Sequence, residues 1–145
     1  MARAGRQEAA LPLLISARTK LSKDLASVPV YSVEAQIYKH KLAMVEAYIG
    51  NERVARELTL EALALMPPEK DATIGAIGIS RAAHMYAVLD RADLVVEMLA
   101  RLRTLSGTDL RTSAASLRAD PIWDKINDDQ RFQDEIILFE KLDNQ

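Results

Sequence analysis

The sequence predicts an all-α fold: a short array of paired helices closed by a C-terminal helical cap. Three observations predict it. Ala and Leu are abundant while only five Gly and five Pro punctuate 145 residues, and Ala and Leu enter helices at little cost. Apolar residues recur at helical spacing, and no segment alternates as a strand bounded by hairpin turns would. A helix–break–helix pattern occurs twice, 40 residues apart. The length suits one domain, residues 1–145.

The first helix is expected over residues 7–26, with Leu14, Ala17, Leu21 and Leu25 at helical spacing. Val28-Pro29-Val30 stops it. Ser32 is a suitable N-cap for a second helix, Val33–Ile49. That helix carries two apolar stripes: Tyr38, Leu42, Val45 and Ile49, then Ile37, Met44 and Tyr48 flanking Lys41. Apolar character on two faces predicts packing on two sides, or one packed side and one groove. Gly50-Asn51 ends it, because glycine accepts left-handed dihedrals. The third helix, Glu52–Leu65, should bury Val54, Ala55, Leu58, Ala62 and Leu65, and Met66-Pro67-Pro68 closes it.

A fourth helix is expected over 71–89, with Ile74, Ile77, Ala82, Met85 and Leu89 in the core. Gly75 and Gly78 near its start cost about 1 kcal/mol each relative to Ala. They predict close approach of a neighbouring helix, or a frayed first turn. Asp90-Arg91 makes a turn, a fifth helix covers 92–105, and Ser106-Gly107-Thr108 breaks the chain. A short helix over 109–117 precedes two further helices, each opened by an aspartate: Asp120, followed by Pro121, and Asp129. Aspartate caps a helix N-terminus, and proline suits the first helical position. Trp123, the one Trp, and Phe132 are the apolar anchors of this end piece.

The formal net charge is −2, which offers no field to draw in nucleic acid. Eight acids face three bases in residues 119–145, and five bases face two acids in residues 1–26. With no Cys and two histidines, His40 and His84, disulfides, thiolate chemistry and the usual zinc sites are excluded. No metal and no cofactor are expected. The first residues, basic then apolar, resemble a secretory signal only superficially. Glu8 and Pro12 interrupt the short apolar run, so a mature helix is the expectation. No run reaches the ~20 apolar residues of a membrane span. Absence of Cys suits a cytoplasmic setting.

Residues 42–67 and 82–105 align at the 40-residue offset: Ala43 with Ala83, Gly50 with Asp90, Ala55 with Val95. The first copy resembles a tetratricopeptide repeat, with Ala43, Gly50, Ala55, Ala62, Leu63 and Pro67 in register. Glu46 and Thr59 stand where that pattern has aromatics. The second copy is weaker. The segment from Leu117 to Phe132, carrying Leu117, Arg118, Asp120, Pro121, Trp123, Asp124, Asp129, Arg131 and Phe132, resembles a closing motif. It follows degenerate repeats of this kind in bacterial multidomain kinases and nucleotide cyclases. The resemblance implies antiparallel helical hairpins: a partial repeat at 7–30, repeats at 33–67 and 71–105, and cap helices at 109–142. Asp120, Pro121, Trp123, Asp129 and Phe132 would then seal the open end of the stack, since a solenoid repeat cannot bury its own face alone.

No catalytic constellation is present, so an enzyme is the remote alternative. The acid pairs Asp128-Asp129 and Asp134-Glu135 lack the ligand spacing of a calcium loop. The segment Gly75 to Gly78 lacks the Lys of a phosphate loop. Arg101, Arg103 and Arg111 lack interleaved aromatics and read as a solvated face. By resemblance, the first helix of each repeat lines a concave groove. That places His40, Lys41, Met44 and Tyr48 beside Ser80, Arg81, His84 and Ala87, a surface suited to an acidic peptide. The expected function is protein–protein interaction, as a regulatory or scaffolding part, by resemblance the tail of a larger signalling protein. The rival is a self-associating structural domain with no groove, in which the acidic tail or neighbouring helices cover these residues. Homo-oligomerisation stays open; nucleic acid and membrane are not expected partners.

Overall fold

A computed structural model describes residues 2–105 and 112–145, with side chains from residue 8 onward. Among the described residues there are seven α-helices, one 3-10 turn and no strand. The all-α expectation therefore stands. The chain divides into two compact units, Met1–Leu65 and Met66–Gln145. The division falls between Leu65 and Met66, at the end of the first copy of the internal repeat.

The first unit holds α1 (Ala2–Ala26), α2 (Val33–Ile49) and α3 (Glu52–Leu65), with α2 packed against both others. α1 starts earlier than the sequence suggests and passes through Pro12, which is exposed. Ser32 caps α2 by accepting from the Ala35 N–H at 3.0 Å. Gly50 closes it at φ 97°. The Gly50 N–H reaches the Ala47 carbonyl and the Asn51 N–H reaches the Glu46 carbonyl at 2.9 Å, the two bonds of a Schellman end. The core of this unit is built from small residues: Ala35, Ala43, Ala47, Ala55 and Ala62 are buried, which lets helix axes approach closely. Val54, Leu58 and Leu65, expected in the core, are only half-buried, and Thr59 is buried in their place. Glu46 is also buried. It accepts from Asn51 Nδ2 at 2.6 Å and lies 3.8 Å from Arg18 of α1. Lys39 of α2 pairs with Glu61 of α3.

The second unit holds α4 (Ala72–Val88), α5 (Ala92–Thr104), α6 (Ala114–Ala119), the 3-10 turn Pro121–Trp123 and α7 (Gln130–Asp143). Asp71 caps α4, accepting from the Ile74 N–H at 2.8 Å. Gly75 is there for close approach, but to the Pro67–Pro68 segment rather than a helix: a Cβ on it would stand 2.5 Å from the Pro68 nitrogen. Ala82 and Met85 are buried as expected, whereas Ile77 is exposed. α4 and α5 pack together across a turn in which Asp90 takes φ 59°. Its N–H reaches the Ala87 carbonyl, and the Arg91 N–H reaches the Tyr86 carbonyl at 3.0 Å. This is the bond pattern of Gly50 and Asn51, 40 residues on. The internal repeat is thus a repeat of turn geometry as well as of residue types.

The end piece departs from expectation in two places. Asp120 opens one 3-10 turn, not an α-helix, with its carboxylate accepting from the Ile122 N–H at 3.0 Å. α6 begins at Ala114 behind a Ser113–Ser116 capping box. The expected break at Ser106-Gly107-Thr108 and the helix start at Asp109 lie outside the described residues. Asp129 does cap α7, accepting from the Arg131 N–H at 2.9 Å. Leu117, Trp123, Ile126, Phe132, Ile136 and Phe139 form the apolar centre of the piece. Trp123 lies between two rings, His84 of α4 at 4.9 Å and Phe132 at 5.6 Å. Lys125 Nζ donates to the Val88 carbonyl at 2.7 Å, satisfying the C-terminal end of α4.

Candidate functional site

α2 has an unequal circumference. Gln36, His40, Ala43 and Ala47 form one buried line, and Ala35, Leu42 and Glu46 a second beside it. The opposite arc carries Ile37, Lys41, Met44 and Tyr48 at steps of four, three and four, so these side chains lie in one row. Ile37 and Met44 are half-buried, Lys41 is exposed and Tyr48 is 51% exposed. Tyr38 and Val45 border the row, and the Lys41 ammonium stands 6.0 Å from the centre of the Tyr38 ring. An ammonium beside a ring face is attracted by its quadrupole. The result is an apolar strip with one cation near its middle, on a helix whose backbone is fixed by caps at both ends.

The sequence-derived groove residues distribute as follows. Lys41, Met44 and Tyr48 come together on this row. His40 belongs to the packed line instead and is buried. Arg81 and Ser80 are half-buried on α4, and Ala87 is fully buried. His84 is half-buried and lies against Trp123 of the chain's own end piece. That burial holds the His84 imidazole below its ordinary value, with the Asp120 carboxylate pulling weakly the other way.

The acidic tail, 134–143, is folded as α7 with its acids engaged within the second unit. Glu135 is buried and takes a two-pronged contact from Arg103 of α5, at 2.7 and 3.0 Å. Glu140 pairs with Arg118, Asp143 accepts from the Ala114 N–H, and Asp134 accepts from Gln130. Arg103 therefore joins α5 to α7 and is not part of a solvated basic face. Thirty-two residues separate it from Glu135, and no local pattern links them.

The described residues also bound an open concavity of about 480 Å³ along α3, at Glu52, Arg53, Arg56, Glu57 and Leu60. Arg53 and Glu57 neutralise each other there. Among the described residues no group of three or more His, Cys, Asp or Glu could hold a metal ion. Among the described residues no helix is long and apolar enough to cross a membrane.

Comparison with models of known protein families, with curated proteins and with solved structures finds no match. The free row of α2 thus stands on its own geometry.

Proposed function

We propose that the chain is a tetratricopeptide-like interaction domain that holds an acidic peptide segment along the free row of α2. The observation that carries this reading is the row itself: Ile37, Lys41, Met44 and Tyr48, exposed or half-buried, lie on the arc opposite the two buried lines of α2. Lys41 supplies charge-assisted hydrogen bonds to a carboxylate. Met44 adapts its shape to an apolar side chain, and Tyr48 offers a ring and a hydroxyl. The domain serves as a regulatory or scaffolding part of a cytoplasmic signalling protein; the resemblance of its closing motif to those of bacterial kinases and cyclases supports this.

Calorimetric titration with a library of acidic peptides tests the reading. Lys41→Glu should weaken binding by about tenfold or more, since a charge-assisted bond contributes ~1.5–3 kcal/mol. Met44→Ala should weaken it less, and neither change should move the melting temperature much, because both side chains lie outside the packed lines. Equal affinity of wild type and Lys41→Glu for every acidic peptide would refute it.

A further inference from the structure

α1 is the least buried long helix of the first unit: none of its described residues is in the core. Leu14, Ala17, Leu21 and Leu25 are half-buried, the one face that α1 turns to α2. Beside that face, Leu11 is 41% and Ile15 42% exposed. They belong to a second line, Glu8, Leu11, Ile15, Arg18 and Ser22, whose steps of three and four place it along one side of the helix. Such steps make the seam of paired helices.

This line has a symmetry of its own. About the level of Leu13, position 11 mirrors position 15 and position 8 mirrors position 18. In a two-fold contact, residue i meets residue j and j meets i. An antiparallel pairing therefore sets Leu11 against Ile15 and Glu8 against Arg18, each pair twice. A parallel pairing would set Glu8 on Glu8 and Arg18 on Arg18. The side chain of Arg18 is 39% exposed and its distance to Glu46 is 3.8 Å, so donors of its five-donor fork remain for a second carboxylate.

We infer that two copies of the chain associate through α1, antiparallel, with an apolar centre of Leu11 and Ile15 between flanking Glu8–Arg18 pairs. The surface shares no residue with the row on α2. Leu13, 73% exposed, lies on the other side of the helix and takes no part.

The test is sedimentation equilibrium of the full chain over about 1 to 300 μM, a range that brackets the affinity of small interfaces. Wild type should rise from the monomer mass of 16.1 kDa toward twice that value. Leu11→Lys and Ile15→Glu, each alone, should weaken association by at least about tenfold. Leu13→Lys should leave it unchanged. An equimolar mixture of Leu11→Lys and Ile15→Glu should associate again as a heterodimer. There the introduced ammonium faces the introduced carboxylate, and the untouched Ile15 and Leu11 pair. Circular dichroism melts verify that each variant is folded, as substitutions at exposed positions allow. A wild type that stays monomeric throughout, a Leu13→Lys variant that dissociates like the other two, or a mixture that stays monomeric would each overturn the inference.

Discussion

Two glycines, one closing α2 and one in the first turn of α4, do opposite jobs, and substitution separates them. Gly50 sits at φ 97° with nothing within 4 Å of where a Cβ would be. Gly50→Ala meets only backbone strain and should destabilise by about 1 kcal/mol. Gly75 lies within α4, where intrinsic propensity would favour Ala by ~1 kcal/mol. Steric contact wins there, because the Cβ would collide with the Pro68 backbone, which cannot swing aside as a side-chain tip would. Gly75→Ala should cost about 1–3 kcal/mol. Urea denaturation of both variants should rank Gly75→Ala as the worse; the reverse ranking would contradict the close approach. His84 supplies a pH dependence. Its folded value lies below the ordinary 6.5 because burial disfavours the charged ring. The unfolded chain therefore binds the proton more readily, and stability is full above pH 6.5 and falls as pH drops below it. Melting temperature measured from pH 8 to 5 should show a decline that His84→Gln flattens. Parallel profiles for the two proteins would exclude His84 as the source.

At the scale of elements, the end piece is held by apolar burial with a few long-range polar ties. Trp123 is 4% exposed, between His84 and Phe132. Trp123→Ala should cost ~3–5 kcal/mol, as large core truncations do. A far-UV circular dichroism melt checks this, and an unchanged midpoint would show that Trp123 does not seal α4. The Arg103–Glu135 contact works alongside it by fixing α7 on α5. The Asp120-Pro121 pair shows how a legible signal can fix the start of an element without its length. Aspartate and proline start the turn as expected, yet the regular 3-10 turn covers Pro121–Trp123 only, and single turns follow it, with the Ile126 N–H on the Trp123 carbonyl and the Asp129 N–H on the Ile126 carbonyl.

Across the molecule, burial is graded from helix to helix. α2 and α4 each bury seven or more residues, while α1 buries none of those described. Opening free energy follows buried contact, so amide hydrogen exchange should be fastest in α1 and slowest in α2 and α4. In exchange followed by mass spectrometry, protection of residues 8–18 should also rise with protein concentration as the α1 pairing forms. Uniform protection across the three helices would contradict the grading.

The sequence by itself determined the all-α class and the ends of α2 and α3. Val33–Ile49 and Glu52–Leu65 have the expected bounds, and Ser32, Gly50 and Asp129 act as their residue types dictate. These are local facts, set by caps and dihedrals within a few residues. The offset of 40 was equally legible, and Asp90 confirms it by adopting the conformation of Gly50. Lys41, Met44 and Tyr48 share a row because helical spacing alone places them there. What only the tertiary structure decided is which side of each helix is covered. Hydrophobicity marks large residues, but α2 packs through Ala35, Ala43 and Ala47, with His40 and Glu46 drawn in beside them. Small residues win those positions because they let helices approach, and the polar groups follow. His84 was brought against Trp123, and Arg103 engaged by Glu135, through contacts spanning more than thirty residues. Such pairings depend on where the chain returns in space, which no local spacing encodes.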